Sequence, residues 1–200
     1  MRDDGVGRVL VASLHEAIAE ALPMRLGFYE NWLNAEGLRD GTIGLAPLSA
    51  VLSFLRQEGE IYDSIMANAG AYAADWTVDS MTPIRRTLLS VAPTWLRARL
   101  LLNVAGGIVH RSYQGSRARS RVRKGIARVE LQGSILCAVR EPVRAPLCRF
   151  YAAAFSRVMA RFALPIESTI TECRATTPAG SVCVLTVPLR QASPVEQVTV

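Results

Sequence analysis

The chain has 200 residues, of which 50% are hydrophobic and 20% are charged. This length fits one domain or one domain with an extension, and the hydrophobic content excludes a disordered chain. The net charge of +6 hides a division: residues 1–84 carry five basic and twelve acidic side chains, whereas residues 85–200 carry 18 basic and five acidic ones. Any proposed function must therefore account for the excess of positive charge in residues 85–200, and not only for the net charge of the whole chain.

Several classes of protein and site are excluded by what the chain lacks. The longest nearly uncharged apolar stretch, Leu100–Val109, is shorter than the roughly 20 residues of a membrane span. The N-terminus has no compact apolar core followed by a small-residue cleavage site, so we expect a cytoplasmic protein. No Gly-x-Gly-x-x-Gly or Walker-type loop occurs, and no nucleotide cofactor is predicted. With His15 and His110 as its two histidines, the chain cannot form a histidine-rich metal site.

The first half is predicted to be helical. Apolar residues recur there at helical spacing in six segments, and Pro or Gly residues separate several of them. The segments span about 9–22, 26–33, 45–58, 61–76, 83–89 and 94–109.

The pattern changes after Gly115. Residues 127–131 alternate between apolar and polar, and with the apolar run 135–139 across Gly133-Ser134 they predict a hairpin. An apolar stripe then predicts a helix over 147–162, and residues 166–175 and 182–189 predict two more strands. The expected fold is α+β: a helical N-terminal half, then strand, strand, helix, strand, strand, forming an antiparallel sheet with helices packed on one face.

The last hairpin places two cysteines opposite each other. If its loop is centred on Pro178, Cys173 faces Cys183, and opposed residues in an antiparallel pair have β-carbons about 4.5–5.5 Å apart. Cys148 lies in the first turn of the preceding helix, where a thiolate is favoured. These three thiols could share one metal ion, with Glu172 as an oxygen ligand if a bulge turns it to the same face. Glu167 is an alternative fourth ligand.

Two other interpretations of the cysteines stay open. Cys173 and Cys183 are also spaced for a reversible redox pair, and free cysteines often serve as small apolar core residues. Cys137 is expected to stay outside the cluster, although it is a further possible ligand.

These residues also carry a family resemblance. The Cys148-led helix, the strand ending in Glu172-Cys173, and the Gly180 loop before Cys183 resemble the closing signature of 4-vinyl-reductase-type domains, in particular the bacteriochlorophyll 4-vinyl reductase branch. The resemblance is good over 110–187 and looser over 60–110. It divides the chain into a helical N-terminal extension (1–59), a 4-vinyl-reductase-like ligand-binding domain (60–189) and a loose tail (190–200).

The resemblance implies a fold, a ligand and a metal. Domains of this kind are α/β modules, often homodimeric, with an apolar small-molecule pocket between helices and sheet. In some sensor members three Cys and a Glu bind a structural zinc ion. Carried over, the cysteines are Cys148, Cys173 and Cys183, whereas the position that matches the family's Glu is Ile170.

Two further sets of residues are candidates for binding. Arginines alternate with small residues before the first predicted strand, and such a row attracts phosphates, an anionic membrane surface or an acidic partner, whereas nucleic acid is not expected. This row contains Arg117, Arg119, Arg121 and Arg123. Aromatic residues that could line a pocket for a flat macrocycle are Trp95, Phe150, Tyr151 and Phe155, although aromatics at helical spacing also fill cores.

Three functions remain in competition at this stage. The leading hypothesis is a binding or accessory protein that takes a hydrophobic, tetrapyrrole-like ligand in an apolar pocket. The second is a vinyl-group reductase of tetrapyrrole biosynthesis, for which no reductant site is readable. The third is a dimeric interaction scaffold or signalling module that uses the arginine row.

Overall fold

The computed structural model describes residues 6–33, 44–177 and 182–189. The tail 190–200 lies outside these residues. Within them, the order of elements confirms the predicted α+β class. No helix among the described residues is long and apolar enough to cross a membrane.

Helices dominate as far as residue 112, close to the predicted segments. The elements are α1 (Arg8–Ala21), a 3-10 turn (Pro23–Arg25), α2 (Leu26–Glu30), α3 (Leu45–Gln57), α4 (Glu60–Asp79), α5 (Pro83–Val91) and α6 (Thr94–Ser112). Their ends follow the local chemistry. Pro23 follows α1, Gly59 with φ of 69° separates α3 from α4, and Thr82 caps α5 by accepting the Arg85 N–H.

Four antiparallel strands and one further helix follow in the part of the chain that the structure describes. These elements are β1 (Arg117–Arg123), β2 (Ile126–Gln132), α7 (Arg149–Ala160), β3 (Thr169–Glu172) and β4 (Cys183–Pro188), and the sheet order is β1-β2-β4-β3. The predicted hairpin of 127–131 with 135–139 is wrong. β2 pairs instead with β1 through Lys124-Gly125, whereas Ile135–Cys137 forms a 3-10 turn.

A left-handed glycine explains this difference. Gly133 has a φ of +66°, and a Cβ there would lie 2.1 Å from the Gly115 carbonyl oxygen. The chain therefore turns sharply after β2, and Ile135, Leu136 and Cys137 are buried in the core rather than extended beside β2.

The helices cover one face of the sheet in two layers. α6 contacts β1 and α7 contacts β3, while α4 and α1 pack outside them. Ala127, Val129 and Leu131 of β2 point into this core, where they join buried residues of α1 and α3 in one hydrophobic cluster. The boundary at residue 59 stays a prediction, although α1 shares its core with the rest of the chain.

The closest helix contact joins α4 to α7. A Cβ at Gly70 would lie 2.1 Å from the Phe150 carbonyl oxygen and 3.1 Å from the Cβ of Ala153. Gly70 therefore lets two helix backbones approach where any side chain would force them apart.

We expect Gly70→Ala to lower the free energy of unfolding by about 1–3 kcal/mol, because the new methyl group overpacks this contact. Gly107 of α6 is the matched control, since a Cβ there meets nothing within 4 Å. Gly107→Ala should raise the free energy of unfolding by about 0.5–1 kcal/mol. Urea denaturation measures both, and equal stabilities of the two variants would contradict the close contact.

Candidate functional site

All four cysteines of the chain converge on one buried point. Their Sγ atoms lie within 4.8 Å of one another, and all four side chains are buried. Three of these separations are 3.4 Å for Cys137–Cys183, 3.6 Å for Cys137–Cys173 and 3.9 Å for Cys173–Cys183. The four residues are free thiols.

Four different elements supply these thiols. Cys137 ends the 3-10 turn after β2, Cys148 is the N-cap residue of α7, Cys173 directly follows β3, and Cys183 is the first residue of β4. Glu172 pairs with Val184, which is the register that sets Cys173 opposite Cys183 as predicted. Further along the pair a bulge between Ile170 and Glu172 shifts the register by one residue.

The fourth residue of the cluster is Cys137 rather than Glu172. Glu172 belongs to the outer face of the sheet, where its carboxylate accepts a 3.1 Å hydrogen bond from Arg128. Glu167 lines a surface depression beside Ser156 and Arg157 of α7. The signal for Cys137 in the sequence was the apolar run after Gly133, which also fits a turn that carries a thiol inward.

The distances among Cys137, Cys173 and Cys183 suit three ligands of one tetrahedral ion, and the Cys148 sulfur lies within 4.8 Å of them. Four sulfur atoms each about 2.3 Å from one zinc ion lie about 3.8 Å from one another, and the observed separations of 3.4, 3.6 and 3.9 Å lie around this value. Four sulfur ligands in such a geometry suit zinc or an iron–sulfur centre. A structural metal site is therefore possible on this donor set.

The thiols shift one another's pKa values in both directions: those of Cys173 and Cys183 are lowered, whereas those of Cys137 and Cys148 are raised. Hydrogen bonds from Cys137 and Cys148 lower the pKa of the Cys173 thiol. Hydrogen bonding to Cys137 conversely raises the pKa of the Cys148 thiol. The backbone N–H of Arg174 adds a 3.4 Å contact to the Cys183 sulfur. Since the thiolate is the metal-binding species, the cluster partly prepares its own ligands.

The four aromatic residues predicted to bind a ligand do not share one pocket. Trp95 is 66% exposed at the start of α6. Phe150 and Tyr151 are fully buried, and their rings form an edge-to-face pair with centroids 5.2 Å apart. Burial raises the pKa of Tyr151, and its hydroxyl has no hydrogen-bond partner among the described residues. Phe155 lies at the floor of a cleft, and Trp95 lines a separate depression at the start of α6.

This cleft lies between α6 and the inner face of the edge strand β1. Its volume is about 160 Å³, and Leu102, Gly106, Val129 and Phe155 form its apolar part. Exposed polar side chains stand at its rim, namely Asn103, His110 and Ser120. An apolar floor with a few polar groups is the usual composition of a small-molecule site.

The cleft continues along the edge of the sheet. A neighbouring depression of about 290 Å³ shares Leu102, Asn103 and Ser120 with it. A third depression of about 400 Å³ shares Arg99 and Val122 with the second. Together they form one groove that follows α6 toward the tip of the β1–β2 hairpin.

The arginine row lies on the opposite face of the same strand. In β1 the inner positions are Ala118, Ser120 and Val122, so the alternating arginines share the outer face with Arg128 of β2. These exposed outer residues are Arg117, Arg119, Arg121 and Arg123. What they bind stays a prediction.

The comparisons with known proteins add one finding about the fold. No protein-family model matches the chain, and no curated protein matches it either. Among solved structures, the chain is similar to the phenol-responsive sensory domain of the transcription activator PoxR in complex with phenol. The two chains are 17% identical, the match covers 74% of this chain and 75% of that one, and the TM-score is 0.51. The described elements and those of a sensory domain therefore share a fold.

Proposed function

We propose that this protein is a small-molecule-binding module of the 4-vinyl-reductase type, and that the cleft between α6 and the sheet takes a one-ring aromatic ligand. The observation that carries the proposal is the buried floor of Leu102, Val129 and Phe155 beneath a polar rim. The fold similarity to a phenol-responsive sensory domain supports it.

The size of the cleft favours one ring over a tetrapyrrole. An enclosed apolar cavity of about 150 Å³ is sufficient to bind benzene, and the inner cleft, which opens to solvent and is partly polar, has a similar volume of about 160 Å³. A tetrapyrrole has four such rings, so it would have to lie along the whole groove as far as Val122. The rim groups Asn103, His110 and Ser120 suit a ring substituent that donates or accepts a hydrogen bond.

We further propose that the four cysteines hold a structural zinc ion. Bound zinc would join the turn after β2, the start of α7 and the last hairpin, and so contribute to folding. The ion would sit at the N-terminus of α7, two helical turns from Phe155 on the same helix. Zinc would therefore fix the helix that supplies the cleft floor, without contacting the ligand.

The remaining expectations stand as predictions of the sequence. They are the homodimer, the cytoplasmic location, the vinyl-reductase alternative, and a role of Arg117, Arg119, Arg121 and Arg123 in contact with an anion or a partner.

A larger side chain in the cleft tests whether the ligand binds there. Ala118 points inward from β1, and a Cβ at Gly106 would lie 3.6 Å from the Ala118 Cβ. We expect Ala118→Leu to weaken phenol binding by roughly tenfold or more, because the larger side chain occupies the ring's space. Arg119→Leu is the matched control, since the neighbouring residue faces outward, and it should bind phenol normally. Calorimetric titration measures both.

Other ligands decide between the competing functions. A saturable spectral shift with porphyrins, together with no binding of phenol, would contradict the one-ring proposal and favour a tetrapyrrole. Turnover of a vinyl-bearing tetrapyrrole with a reductant would favour the reductase. Equal phenol affinities of Ala118→Leu and Arg119→Leu would contradict the placement of the ligand.

The metal is tested by elemental analysis of protein purified without chelator. We expect about one zinc ion per chain, as a four-cysteine site requires. Cys137→Ser should lose the metal and lower the thermal midpoint, whereas Glu172→Gln should keep both, because Glu172 lies outside the cluster. Zinc retained by Cys137→Ser and lost by Glu172→Gln would contradict the ligand set. Four freely titratable thiols without metal would contradict the site.

A further inference from the structure

Helix α5 presents an apolar stripe to solvent. Ile84, Leu88 and Val91 are 76%, 63% and 73% exposed, whereas Leu89 on the inner side is buried. Residues spaced by four and three lie on one face of a helix, so these three side chains form one continuous ridge. An exposed apolar patch of this kind marks an interaction site more often than scattered surface residues do.

Trp95 is a further exposed apolar side chain, at the start of the next helix. It lies in the first turn of α6, and the Arg99 guanidinium is 6.0 Å from its ring centroid. The two helices are held together here, because Arg97 donates a 3.1 Å hydrogen bond to the Ser90 carbonyl oxygen. Trp95 also shares a depression with Val122 and Gly125 of the β1–β2 hairpin. Trp95 therefore lies beside the hairpin tip.

Cations dominate the sequence around this ridge, although the carboxylate of Asp79, just before α5, lies 3.9 Å from the Arg86 guanidinium. Residues 80–129 contain eleven Arg and Lys residues and no Asp or Glu, although the whole chain has 17 acidic residues. Exposed cations next to the ridge are Arg85 on α5 and Arg99 on α6, and Lys124 lies at the hairpin tip. The surface thus combines aliphatic side chains, one exposed indole and cations.

We propose that this basic-apolar surface, formed by Ile84, Arg85, Leu88, Val91, Trp95 and Arg99, binds an anionic lipid bilayer. Helices that lie in the membrane interface bury an apolar stripe at the boundary of headgroups and acyl chains while their cations meet lipid phosphates. Tryptophan favours the same depth. The proposal does not depend on the ligand in the cleft.

Charge and chemistry argue against the other occupants. A second copy docked through the same patch would set cations against cations, since a two-fold interface pairs a surface with itself. A nucleic acid would contact the arginines through its phosphates. The aliphatic side chains Ile84, Leu88 and Val91 would then remain exposed to water. A bilayer uses both components.

The experiment is cosedimentation of the full chain with vesicles of phosphatidylcholine alone or mixed with phosphatidylserine. We expect binding to the mixed vesicles, weakened by salt, with a shift of tryptophan emission to shorter wavelength. Leu88→Glu combined with Val91→Glu should weaken binding by roughly tenfold or more, and Arg85→Ser combined with Arg99→Ser should do the same. The emission shift should disappear in Trp95→Phe, although this variant still contains Trp32 and Trp76.

Matched controls use residues outside the patch. Met24→Glu replaces a 97% exposed apolar side chain, and Arg144→Ser replaces an exposed arginine of the loop before α7. Both should bind vesicles normally. Circular dichroism should show every variant folded, because all the replaced side chains are largely exposed. Equal binding by the patch variants and the controls would overturn the proposal. So would retention by an oligonucleotide, or a dimer broken by Leu88→Glu, without vesicle binding.

Discussion

The burial of α7 is the constraint on which the rest of the structure depends. Its N-cap residue Cys148 belongs to the thiol cluster, its first turn touches α4 at Gly70, and Phe155 forms the floor of the cleft. Seven of its twelve residues are buried, and burial of one large apolar side chain contributes about 1.5–3 kcal/mol. A shift of this helix would therefore disturb the metal donors and the ligand cleft together.

The groove exists because small residues face each other across α6 and β1. Gly106 and Gly107 of the helix lie opposite Ala118 and Ser120 of the strand, so the layers leave space that larger side chains fill elsewhere. Strand alternation then puts the arginines on the other side of β1. Charged side chains on an edge strand oppose pairing with another chain. The small residues of β1 therefore leave space for the cleft on its inner face, and the arginines on its outer face disfavour edge-to-edge association.

Much of the fold could be predicted from local patterns. Helical periodicity and Pro or Gly breaks located the helices. The expectation of a loop centred on Pro178, which lies outside the described residues, predicted the register that pairs Glu172 with Val184. These features depend on neighbours in sequence, which is why the sequence reveals them. The apolar helix over 147–162 was recognisable for the same reason.

What could not be predicted depends on contacts distant in sequence. The apolar run around Leu136 looks like a strand until Gly133 adopts its left-handed conformation against Gly115, and that turn brings Cys137 to the other thiols. β1 was hard to recognise because its arginines alternate with small residues instead of β-formers. Aromatic residues suggested a pocket, yet Phe150 and Tyr151 fill the core, and the cleft depends on the absence of bulk at Gly106.

The measurement that tests the account most directly is a crystal structure with 4-bromophenol, in which anomalous scattering from bromine locates the ring. The account predicts the ring in the inner cleft, within about 4 Å of Phe155 and Gly106, with its hydroxyl toward Asn103, His110 or Ser120. A ring found only elsewhere, such as the depression between α4 and α7, or no bound ring at saturating concentration, would contradict it.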